Sequence, residues 1–180
     1  MININNNDSK MLSTLYPEGM LAPVEFYNEY AILCKLQVAD KNTGELFILN
    51  FKAKLDNFTI DHETSTVTLN DLKTSSKPVS YFMGNYVKIT EEEKESVEWY
   101  EGSFQKYHYH RQMAVYLWIL QSAMKEIYNL EYTPKANMLV VETVPNFNCK
   151  VYSVNGKHIK AGLDEFQKLI ALVVEWKQTN

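Results

Sequence analysis

Residues 45–59 alternate with a period of two. Phe47, Leu49, Phe51, Ala53 and Leu55 share one side, and Asn50, Lys52, Lys54 and Asp56 share the other. Such alternation fits a half-buried β-strand and not a helix. Polar turn clusters bracket it: Asp-Lys-Asn-Thr-Gly at 40–44 and Asp-His-Glu-Thr at 61–64. The neighbouring segments 31–39 and 65–74 also read as strands. Three sequential strands joined by short turns predict an antiparallel meander. Before it, Pro17, Gly19 and Pro23 interrupt the chain, and residues 24–30 are expected to form a short helix. Residues 1–16 are polar, rich in Asn and expected to be disordered.

Beyond the meander, residues 77–102 form a connector broken by Pro78 and Gly84. In it, Thr90-Glu91-Glu92-Glu93 fits a capping box opening a short acidic helix. Residues 104–130 contain neither Pro nor Gly and predict one long helix, closed by Pro134. Strands are expected at 136–143 and 149–154, with a turn at Asn155-Gly156. A last helix at 163–177 carries Leu163, Phe166, Ile170 and Val173 on one face. This order predicts an α+β fold. The chain has 180 residues, suited to a single domain spanning 1–180. Its 46% hydrophobic and 22% charged content excludes a wholly disordered or collagen-like chain. The longest apolar runs, 114–120 and 169–174, are too short to span a bilayer, so no membrane partner is expected. Two cysteines and no apolar leader point to a reducing cytoplasm. A net charge of −4, with Arg111 the only arginine, argues against a generic basic nucleic-acid coat.

The third strand departs from its own pattern. Val67 and Leu69 point to one face, and Asp71 and Lys73 continue that face where two more apolar residues are expected. A buried charge is costly unless it is paired or holds a metal. Asp56, near the end of the preceding strand, reaches the same place in a simple register. Two carboxylates and a lysine would suit a hard cation and an attacking water. The bland alternative is a cross-strand salt bridge on an exposed face, since Asp/Glu-x-Lys also occurs at Asp8, Glu92 and Glu175. On the long helix, His108, Gln112 and Tyr116 are spaced four apart beside Arg111, a set able to hold a phosphate or stack a base. Glu142 reads as an exposed strand acid, and His62 and Glu63 as solvated turn residues.

The segments KLDNF (54–58), LNDLKTS (69–75) and YHRQMAVY (109–116) together resemble the PD-(D/E)xK nuclease superfamily, closest to its RecB-like and phage RecE-like exonuclease branch. The resemblance covers residues 31–177. It implies a restriction-endonuclease-like core: a three-strand antiparallel meander, extended by a further strand and flanked by helices. It also implies Mg²⁺ or Mn²⁺ held by Asp56, Asp71 and the Leu72 carbonyl, and a water positioned by Lys73. Gln112 and Tyr116 would be the branch motif, preferred over the second match at Gln105 and Tyr109. Arg111, His108, Lys54 and Lys77 are the residues expected to face DNA. The family's first acid has no clear counterpart; Glu25 and Glu29 are the candidates. The activity implied is metal-dependent DNA cleavage by an exonuclease of phage recombination, replication or repair. A single-strand annealing protein and a second copy of the chain are the further partners that role implies. The alternative is a non-catalytic DNA-binding or phage-assembly module on a degenerate nuclease fold.

Overall fold

The computed structural model describes residues 23–40, 43–91, 94–129, 131–143, 145 and 147–179. Expectations for residues 1–16 lie outside these. The elements are β1 (Val24–Ala39), β2 (Leu46–Asp61), β3 (Thr66–Ser75), β4 (Asn85–Glu91), β5 (Lys94–Tyr100), α1 (Ser103–Lys106), α2 (Tyr109–Tyr128), β6 (Thr133–Glu142), β7 (Cys149–Ser153) and α3 (Gly156–Thr179). Five strands form one sheet in the order β1-β2-β3-β6-β7. β1, β2 and β3 are the expected antiparallel meander. β6 joins it in parallel: the Thr133 N–H donates to the Ser65 carbonyl and the Thr143 N–H to that of Ser75, the same offset in the same direction. β7 returns antiparallel to β6. The fold is α+β, a mixed five-strand sheet flanked by helices.

The chain groups into two compact units. One comprises residues 1–70, 116–135 and 168–180; the other comprises 71–115 and 136–167. In the first, Leu55, Phe58, Ile60, Val67 and Leu69 are fully buried, with Tyr27 stacked on Phe58 at 4.6 Å between ring centroids. In the second, Phe82, Phe104, Met113, Ala114, Met138 and Val140 are buried. Here α3 lies so close to α2 that a Cβ on Gly162 would come within 2.3 Å of the His110 carbonyl oxygen.

Several local expectations are corrected. Residues 24–30 are not helical but extend the first strand, because Glu25, Tyr27, Tyr30 and Ile32 pair along β2. The expected acidic helix at 90–93 is replaced by the β4–β5 hairpin. Its strands are rich in Tyr, Val, Ile, Thr and Trp, which favour extended backbone over a short capping signal; Glu92 and Glu93 lie outside the described residues. The long helix is interrupted: α1 ends after Lys106, His108 takes φ +53°, and α2 begins at Tyr109. The turn expected at Asn155-Gly156 is instead the start of a helix. The Asn155 side-chain oxygen accepts from the His158 N–H at 3.1 Å, starting α3 seven residues earlier than expected. The buried face of that helix ends on Ile170 and Val174, while Val173 is exposed.

Candidate active site

β3 carries the central feature. Val67 and Leu69 are buried, and Asp71 follows on the same face at 2% exposure. The Lys73 ammonium lies 2.6 Å from Asp71 Oδ2, an i, i+2 pair that the pleat places on one face. It also sits 4.8 Å from the centre of the Tyr109 ring, a cation–π contact. Tyr109 in turn stacks on Phe82, and Phe82 on Tyr152. The connector beneath is fixed from several sides. The Tyr152 hydroxyl donates to the Val79 carbonyl, the Val79 N–H donates to Glu142 at 2.7 Å, and Gln105 Nε2 donates to the Met83 carbonyl at 2.8 Å. Gly102 passes close over it: a Cβ there would meet Gly84 N at 2.1 Å. Lys73 is therefore held between a buried carboxylate and a braced aromatic ring.

Glu142 is thus corrected. It is 3% exposed and accepts from the Val79 N–H and from the Asn148 side-chain amide at 3.0 Å, because two strand ends meet there with backbone donors to satisfy. His62 is corrected too: its side chain is only 10% exposed. Its Nε2 lies 2.6 Å from Glu25 and its Nδ1 2.7 Å from the Tyr132 hydroxyl. Glu25 also accepts from the Tyr27 and Tyr128 hydroxyls. Burial, with the carboxylate beside it, pushes the pKa of the Tyr128 hydroxyl up to about 12, and burial also raises that of Tyr27. The other candidate first acid, Glu29, is exposed and ion-paired with Lys54.

Asp56 sits at a change of phase in the sheet. The more buried side chains of β2 are odd-numbered through Leu55 and even-numbered from Phe58, and β1 switches between Tyr27 and Tyr30. The switch falls where Glu29, with φ +50°, and Asp56 interrupt the pairing between Asn28↔Asn57 and Tyr30↔Leu55. The described β2–β3 pairing ends at Asn57↔Asn70, so Asp56 and Asp71 are the next residue on each strand. Leu72 is exposed. Gln112 and Tyr116 are half-buried on α2, and it is Tyr109, from the other Gln-x-x-x-Tyr match, whose ring meets Lys73. Lys54 and Lys77 are exposed.

The residues expected to face DNA at the start of α2 already meet a carboxylate. Glu165 on α3 takes His110 Nε2 at 2.9 Å, His108 Nδ1 at 3.4 Å and Arg111 Nη1 at 3.4 Å. The hydrogen bond from His110, helped by the neighbouring His108 and Arg111, holds the Glu165 carboxyl below the usual carboxylate range. Sequence reading missed His110 and Glu165 as functional candidates; the His-x-His spacing at 108–110 was the available signal.

The fold and these residues define an α+β protein with a buried Asp-x-Lys pair at a strand end. No family model matches the sequence, and no curated protein matches it. Among solved structures it is similar to a protein from Eubacterium rectale described as a "Putative exonuclease", with 12% identity and a TM-score of 0.46. The match covers 85% of this chain and 46% of that one, so this chain spans less than half the length of that protein. Among the described residues, no helix is long and apolar enough to cross a membrane.

Proposed function

We propose that this chain is a metal-dependent deoxyribonuclease acting from DNA ends, with Asp71 and Lys73 at its centre. The observation that supports this is the 2.6 Å pair formed by a carboxylate at 2% exposure and the lysine two residues on. A fold keeps a buried ion pair at a cost, because both charges give up water. Asp71, Asp56 and the Leu72 carbonyl are all oxygen donors, which suits a hard cation such as Mg²⁺ or Mn²⁺. Those residues would hold the ion, which when bound supplies positive charge to the scissile phosphate. Lys73 then orients the attacking water, and the Tyr109 ring keeps its ammonium in place. Gln112, Tyr116 and exposed lysines such as Lys54 and Lys77 would meet the DNA, with His108 and Arg111 at the rim. A role in phage recombination, replication or repair, alongside an annealing protein, follows from the resemblance of the motifs.

One observation favours a second reading, a non-catalytic DNA-binding or assembly module. Both candidates for a further acid are engaged, Glu25 by His62 and two tyrosines and Glu29 by Lys54. Incubating the protein with labelled linear and covalently closed circular DNA, in Mg²⁺, Mn²⁺ or EDTA, separates the two. Degradation of linear DNA alone, stopped by EDTA, is the expected result. DNA retention without cleavage under any metal would leave the module as the account.

A further inference from the structure

We propose that His108, His110 and Glu165 form a binding site for a borderline transition-metal dication of the Zn²⁺ class, separate in chemistry from the oxygen donors on β2 and β3. Their ligating atoms all lie within 4.8 Å of one another. Two of the separations are 2.9 Å, His110 Nε2 to Glu165 Oε1, and 3.4 Å, His108 Nδ1 to Glu165 Oε2. Donors at roughly 2.1 Å from a tetrahedral ion stand roughly 3.4 Å apart, so the cluster needs little movement to close on one.

Three features of the chain make the cluster. The left-handed backbone of His108 ends α1 and brings its ring to 5.6 Å from that of His110, centroid to centroid. Gly162 lets α3 approach α2 at the His110 carbonyl, and Glu165 is one turn further along α3. Two imidazoles and one carboxylate favour Zn²⁺ and its first-row neighbours over Mg²⁺ or Ca²⁺, which take oxygen ligands. His110 is 13% exposed, but His108 is 51% exposed and Glu165 35%, so solvent can fill the remaining coordination positions. Arg111 contacts the same Glu165 oxygen that faces His108, and on metal binding it is free to hold the carboxylate through the oxygen left over.

The test uses the full chain without a histidine tag, stripped with EDTA and titrated with Co²⁺ by visible absorption, then with Zn²⁺ by calorimetry and by displacement of the cobalt spectrum. One equivalent of Co²⁺ should give d–d bands without a thiolate charge-transfer band, and Zn²⁺ should displace it while millimolar Mg²⁺ does not. Glu165→Gln and His110→Ala should each weaken Zn²⁺ binding at least about tenfold. His108→Ala, at an exposed position, should do the same with an unchanged circular dichroism spectrum, which covers a folding failure at His110. Asp71→Asn should bind Zn²⁺ as the wild type does. Wild-type affinity in His108→Ala and Glu165→Gln overturns the proposal, as does a thiolate band pointing to the exposed Cys149. The readout uses neither DNA nor cleavage, so it stands or falls apart from the nuclease reading.

Discussion

At Asp71, stability and the proposed function can be tested through one side chain. Removing Lys73 takes away the cation 2.6 Å from a carboxylate that has almost no access to water. Lys73→Ala should therefore destabilise the fold, by about 1–3 kcal/mol, and on the nuclease reading it should also stop cleavage. Asp71→Asn removes the charge that needs compensating, so the double variant should be more stable than Lys73→Ala alone while remaining inactive. Urea denaturation of the four proteins in a cycle measures this coupling. Purely additive effects would mean that the pair does not act as a unit. His158 supplies a pH test. Burial, and then the nearby His110, lower its pKa from the ordinary imidazole value. The folded state thus binds its proton less readily than the unfolded one. The stability it contributes is complete above about pH 6.5 and is lost as the pH falls through the lower folded value. His158→Gln should flatten the stability curve just below pH 6.5 and leave it unchanged at pH 8, as read by melting temperature against pH.

At the scale of elements, α2 and α3 show geometry reversing a propensity. In an exposed helix, Gly→Ala stabilises by about 1 kcal/mol. At Gly162 the added methyl would meet the His110 carbonyl oxygen at 2.3 Å and the Ala114 Cβ at 2.8 Å. Gly162→Ala should therefore destabilise, by about 1–3 kcal/mol, through forced separation of the helices. A rise in melting temperature would show that the two helices are not packed as described. The strands β2 and β3 were legible in the sequence because a half-buried sheet writes its period of two directly into the chain. The residues on β3 that break the pattern, Asp71 and Lys73, were legible for the same reason. The break at His108 was not, since Tyr107, His108 and Tyr109 are all compatible with a helix, and only the backbone of the folded chain shows the left-handed turn. Glu142 and His62 looked exposed because both stand beside turns; the partners that bury them, Val79 and Glu25, lie 63 and 37 residues away.

At the scale of the molecule, a net charge of −4 leaves no general attraction for DNA. On the nuclease reading, binding would rest on local lysines, and Lys52, Lys77 and Lys106 are exposed. For the nuclease reading, affinity for linear DNA should fall linearly with salt on logarithmic axes, and each lysine-to-alanine change at a phosphate contact should reduce the slope by about one. Fluorescence anisotropy across a salt series, with EDTA present to prevent cleavage, is the measurement. A slope unaffected by all three changes would place the DNA elsewhere on the surface.

The sequence alone determined the meander, the mixture of helices and strands, and the placement of Asp71 and Lys73 on an inward face. These are local consequences of hydrophobic period and turn chemistry, and a few residues suffice to express them. Only the tertiary structure decided that β6 lies parallel beside β3, that Tyr109 rests under Lys73, and that Glu165 meets His108, His110 and Arg111. Each of those joins residues at least 36 positions apart, and nothing in a local pattern encodes which distant surface will close on it. Glu165 shows this best. Its neighbours in sequence give it no distinction, and it meets His108, His110 and Arg111 near the point where Gly162 lets a second helix draw close.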